Sequence, residues 1–308
     1  MGPSRRAAFA LILSACLAFF IISHPPHTTE VWRHALVQSS STTTLADSST
    51  TFEDASAGGH SSDNLRELED SRPHFKPGTA KQAGFSYTRT LVMARMSDEN
   101  VDWIAEETPD LQTAIYVADA PSASLHPPKN KGHEVMIFLT YIISHYNNLP
   151  DVVIFMHAHR WSWHNNVLSG FDAVQMIQNL SNGRVTIEGY MNLRCHWDPG
   201  CPEWIHPLDA EDDISKQEQK TLGQAWYELF PGDPMPEVLA QPCCAQFAIS
   251  KGRILSIPLE RFISYRDWLL RTPLSDYISG RVWEYIWQFV FTGNNTSCPK
   301  MNICYCDG

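Results

Sequence analysis

Basic residues are scarce and nowhere gathered: 23 Lys and Arg stand against 34 Asp and Glu in 308 residues, for a formal net charge of −11. With no basic stripe in the chain, nucleic acid is excluded as the partner, and the acidic excess beyond that speaks only for solubility. No segment repeats at a period of about 20–50 residues, which argues against a solenoid. No two cysteines are separated by two residues, the usual zinc-finger spacing. Only one long apolar run occurs, at 7–22 behind Arg5 and Arg6, and Pro25 and Pro26 follow it without a small-x-small cleavage signal. The run is short for a spanning helix, so it reads as an uncleaved signal anchor, with a cleaved signal peptide as the alternative.

What is present divides the chain. Residues 1–6 read as a cytoplasmic tail, 7–23 as the anchor or signal peptide, 24–83 as a disordered Ser/Thr-rich stem and 84–308 as one lumenal α/β domain. The expected location is therefore a single-pass type II protein of the ER or Golgi lumen, held to the membrane through 7–23, or else a secreted protein. Apart from Cys16, seven cysteines remain, which suits an oxidising compartment and leaves one unpaired or intermolecular. A Cys195–Cys201 bridge would close a small loop in the Leu193–Pro207 block. His196, Asp198, Glu203 and His206 would line that loop. Sequons at Asn179, Asn294 and Asn295 agree with lumenal exposure.

Within the domain, 90–93 and 113–117 read as strands and 152–156 as a fully buried one, in the order strand, helix, strand, loop, helix, strand of a parallel sheet. The helix before the third strand carries Val135, Phe138, Leu139, Ile142, Ile143 and Tyr146 at helical spacing. Further helices are expected at 171–180, 213–230, 256–270 and 274–291, an extended segment at 184–192 and another short strand at 242–250. The fold class is α/β, a single domain with a mostly parallel central sheet flanked by helices and with loops pinned by disulfides.

The chemistry gathers at DVVIFMHAHRWSWHNN, where the apolar run Val152–Met156 gives way to His157, His159, Arg160 and His164. A polar cluster starting where a central strand stops lies at the carboxyl edge of the sheet, where open α/β folds bind ligands. Strand alternation would aim His157 and His159 to one side, and His164 could supply a third nitrogen for a divalent metal. Arg160 could pair with a phosphate or carboxylate, and Glu284, between Trp283 and Trp287, reads either as a solvated or as a partly buried carboxylate.

The blocks NNLPDVVIFMHAHRWSWHNN, GYMNLRCHWDPGCP, CCAQFAIS and GRVWEYIWQFVF, with the later CP and CYC, resemble a fungal family of uncharacterised membrane-anchored proteins. A second similarity is to nucleotide-sugar glycosyltransferases of the GT-A type. It rests on an opening strand followed by Asp98, Glu99 and Trp103, a central strand ending at the site, AQFAIS followed by Arg253, and a last helix with Glu284 and Trp287. Where such enzymes usually carry Asp-x-Asp for a metal, this chain reads His157-Ala158-His159. The resemblance implies transfer of a sugar from a nucleotide sugar to a glycan or small-molecule acceptor. Arg95 and Arg160 would then face the diphosphate and Asp119 the ribose or base, with His157 and His159 at a metal or at leaving-group oxygens and Glu284 as base. Two other expectations stand beside it: a metal-dependent hydrolase or oxygenase using His157, His159 and His164, and a non-catalytic glycan binder using Trp161 and Trp163 as stacking platforms.

Overall fold

The computed structural model describes residues 75–209, 216 and 218–300. The apolar run, most of the stem, the start of the helix expected from 213 and the cysteines beyond Cys298 lie outside them. No helix among the described residues is long and apolar enough to cross a membrane.

The central sheet is built from β1 (Arg89–Arg95), β2 (Gln112–Val117), β3 (Val152–His157), β4 (Tyr190–Asn192) and β5 (Phe247–Ser250), in the order β2-β1-β3-β5-β4. β1 pairs in parallel with both β2 and β3, whereas β5 runs antiparallel to β3 and to β4. The sheet is thus mixed, which corrects the mostly parallel sheet expected. The run Phe247–Ser250 is apolar enough for a central strand in either direction, so its composition does not encode its orientation.

Helix α1 (Asp102–Glu107) joins β1 to β2, and α2 (Val135–His145) returns from β2 past β1 to β3. α2 is buried nearly all round, from Val135 through Ile142, as an internal helix must be. Alternation along β3 sends Val153 and Phe155 into the larger apolar cluster with Phe138, Phe247 and Trp287, and Val152, Ile154 and Met156 into a second cluster on the other face with Val174 and Ile177. Burying a side chain such as Phe155 contributes about 1.5–3 kcal/mol, so slipping β3 by one residue would exchange both faces at a cost of several such terms.

Three other elements differ from expectation. Residues 184–188 belong to a helix, α4 (Asn182–Glu188), because the Ser181 side chain caps the Arg184 N–H; Gly189, at φ 82°, ends it and leaves only β4 extended. α4 follows α3 (Ala173–Gln178), which the Asp172 carboxylate caps. The expected strand at 242–250 begins only at Phe247, since Cys244 and Ala245 have positive φ. The long last helix is two, α8 (Asp276–Glu284) and α9 (Trp287–Thr292), preceded by α5 (Glu218–Leu229), α6 (Lys251–Leu255) and α7 (Leu259–Arg271).

The bridges also differ. Cys201 joins Cys298, 97 residues away, and not Cys195, and the adjacent Cys243 and Cys244 are joined to each other.

Candidate active site

β1 and β3 are neighbours whose onward connections leave to opposite sides, one to β2 and the other toward β5. Their carboxyl ends therefore flank the switch point at which open α/β sheets take ligands. Arg95 ends β1 and His157 ends β3.

His157 continues the alternation of Val153 and Phe155, and its ring goes inward. Its N–H donates to the Gln246 side-chain oxygen at 3.1 Å, and the ring Nε2 is buried without a hydrogen-bond partner among the described residues. Burial, then the charges of His159 and His133, push its pKa down to about 4, so the ring is neutral near pH 7. The His164 ring lies edge-on at 5.2 Å, with Nδ1 also buried and unpartnered, and burial and His157 push it too down to about 4.

His159 does not follow. The strand has ended, and its exposed imidazole lies 3.1 Å from the Glu99 carboxylate. Glu99 in turn accepts the Met96 N–H at 2.6 Å, and the Trp103 indole donates to the Ala158 carbonyl at 3.2 Å, so the segment after β1 buttresses the histidine segment. The two asparagines of the motif are clamps. Buried Asn165 donates to the His159, Arg160 and Phe171 carbonyls, and Asn166 accepts the Cys195 N–H.

The remaining expected residues are placed as follows. Arg160 turns to Glu107 at 2.8 Å and to Asp172 at 3.4 Å, and so pins α1 to the cap of α3 instead of facing the rim. Arg95 donates to the Glu99 carbonyl at 2.6 Å. Exposed Asp119 accepts both the N–H and the hydroxyl of Ser97 at 2.8 Å, and the Ser97 hydroxyl draws its pKa down. Glu284 is buried, with one oxygen on the Cys244 N–H at 2.7 Å and the other on Arg281 at 2.6 Å; burial raises its pKa against the pull of Arg281. His196 hydrogen-bonds Arg194 at 2.6 Å, and His206 and Glu203 lie 3.8 Å apart away from the rim.

A divalent metal does not fit the three histidines. His159 is turned to Glu99, and among the described residues the group of three that brings ligand atoms within 4.8 Å of one another is Cys243, Cys244 and Glu284, whose sulfurs are already bonded to each other. The Arg194 guanidinium, hydrogen-bonded to both sulfurs, adds a positive charge there.

Sequence reasoning missed Glu134, His133 and Arg194. Glu134 stands at the start of α2, and its carboxylate accepts no hydrogen bond from another described residue. Burial, with Asp276 adding to it and His133 and Arg281 opposing, pushes its pKa up to about 7. His133, Cys244 and Ala245 all hold positive φ without being glycine. Such conformations cost about 1–3 kcal/mol each and cluster at working sites. The available signal was Gly-His-Glu ahead of an uncapped apolar helix.

A family model described as Protein of unknown function (DUF3431) matches residues 91–307. Neither the curated proteins nor the solved structures give a match.

Proposed function

The chain belongs to the DUF3431 family, and on that premise we propose that it is a glycosyltransferase-like enzyme, which moves a sugar from a nucleotide-sugar donor to a hydroxyl acceptor at the β1/β3 rim. The observation that carries the reading is a pair of pKa values pushed apart on neighbouring elements: Glu134, at the start of α2, up to about 7, and His157, at the end of β3, down to about 4 through burial and the influence of His159 and His133, with its Nε2 unpartnered. Groups moved apart in this way suit proton transfer and hydrogen-bond acceptance by a neutral ring near pH 7.

In this reading the acceptor oxygen bonds to the anomeric carbon as the bond from that carbon to the phosphate oxygen breaks. The hydroxyl proton passes to the Glu134 carboxylate. The leaving nucleoside diphosphate keeps the bonding pair and rests beside His159, which Glu99 orients, while the unpartnered Nε2 of the neutral His157 ring accepts a hydrogen bond from a sugar hydroxyl. Glu284, with both oxygens occupied, holds Cys244 in place, so the role of base passes to Glu134. Asp119 and Arg95, at the ends of β2 and β1, lie where the nucleoside would rest, and Trp161 and Trp163, 62% and 59% exposed, offer faces for the acceptor sugar. The type II, lumenal layout, or its secreted alternative, belongs to the same proposal.

Those tryptophans favour one second reading, a glycan binder without turnover. Release of nucleoside diphosphate from a panel of nucleotide sugars, with and without glycan acceptors, separates the two. The transferase reading expects acceptor-dependent release that His157→Ala and Glu134→Gln abolish while circular dichroism stays native and unfolding stays cooperative. Undiminished release in both variants would remove this site.

A further inference from the structure

A separate opening lies at the other edge of the sheet, where β3 begins and β5 ends. A cavity of about 580 Å³ is walled by Lys76, Lys81, Lys251 and Arg253, and Asp151 is the one acidic residue in the wall among those described. In a chain of net charge −11, four cations around one cavity are a local reversal of sign.

The wall is built and not incidental. The segment before β1 lies close over α4: the Gly78 N–H donates to the Ile187 carbonyl at 2.8 Å, and a Cβ at Gly78 would come within 2.0 Å of the Thr186 carbonyl oxygen. Buried Arg253 donates to the Phe291 and Glu188 carbonyls at 2.5 and 3.0 Å and covers the Phe75 ring at 4.7 Å. Lys81 is held to Asp151 at 2.7 Å, which neutralises the acid. Lys76 and Lys251 are left exposed, with no ion pair to any described residue.

Clustered ammonium groups repel one another, and an anion of more than one charge relieves that repulsion. Ammonium groups are point charges suited to phosphate, and the hydroxyl of Thr79 can add to them. Pro77 and Leu255 supply an apolar part of the wall, which suits the organic portion of an ester better than a bare ion. We propose that this cavity binds a phosphate monoester, either a soluble metabolite or the headgroup of a lipid. The site stands at the opposite edge from the histidine rim and does not depend on the transferase reading.

The test is a thermal melt of the full chain with glycerol 3-phosphate, against potassium chloride of equal ionic strength. A ligand that prefers the folded state raises the melting temperature with the logarithm of its concentration, and chloride should not. The Lys76→Gln, Lys251→Gln double variant should melt as the parent does without ligand and lose the rise. In a second arm the same proteins are sedimented with phosphatidylcholine vesicles with and without phosphatidic acid. Lysine-dependent binding to the phosphatidic acid vesicles alone assigns the site to a lipid headgroup, and a rise with the soluble ester assigns it to a metabolite. No response in either arm, a rise that chloride reproduces, or a response that the double variant keeps overturns the proposal.

Discussion

Replacing Glu134 by Gln should make the protein more stable at alkaline pH while removing the proposed sugar transfer. The folded state holds the Glu134 proton more tightly than the unfolded chain does, with a pKa of about 7 against 4.5. Below pH 4.5 both states are protonated and nothing is lost; as pH rises from 4.5 through 7 the unfolded chain gives up the proton that the folded state keeps, and stability falls, levelling off once the folded carboxyl ionises as well. At about 1.4 kcal/mol per tenfold change in proton affinity, the loss reaches about 3 kcal/mol by pH 8, an upper figure because part of the side chain meets solvent. Glutamine keeps the shape and cannot ionise. The variant should therefore match the parent at pH 4.5 and exceed it at pH 8, where a gap of that size moves a urea midpoint by about 1 M. Unfolding followed by tryptophan fluorescence at pH 4.5, 6 and 8, at one ionic strength, measures it. A gap that stays constant across the three would mean that the carboxyl is not held protonated, and the assignment of Glu134 as base would fall with it.

The histidines carry the opposite sign. His157 and His164 are neutral in the fold down to about pH 4 but protonate near 6.5 when unfolded, so stability should drop as pH falls between those values, and His157→Asn should flatten that drop by up to about 3 kcal/mol in the same urea assay. Trp161→Ala with Trp163→Ala removes exposed side chains, so unfolding should shift by no more than about 0.5 kcal/mol while the acceptor KM rises about tenfold; an unchanged KM would take the tryptophans out of acceptor binding. Cys201→Ser opens a bridge that spans 97 residues and should cost up to about 4–5 kcal/mol, read as a lower melting temperature under non-reducing conditions.

What could be read from the sequence follows from how locally each feature is encoded. β3 and α2 announce themselves through unbroken apolar runs, and the polar residues that follow β3 mark the rim. The segment 184–188 misleads because Val185 and Ile187 alternate as in a strand, while the cap that makes it a helix lies just outside it, at Ser181. The direction of β5 and the partner of Cys201 depend on where long connections return, which no local pattern records. The same holds within the site. The position of His157 was legible, but the commitments of Arg160 to Glu107 and Asp172, and of Glu284 to Arg281 and Cys244, depend on groups far away in sequence. Glu134 looks like an ordinary solvated helix start until the burial around it is known.

One strand carries a consequence for both ends of the molecule. Because β5 runs against its neighbours, the residues just before Phe247 abut the histidines, whereas Ser250 opens on the lysines. A rod of four residues, roughly 13 Å long, is thus the shared axle of two mouths facing opposite ways. Displacing it by a single register step would misalign both mouths at once, so neither could be reshaped through this strand without disturbing the other.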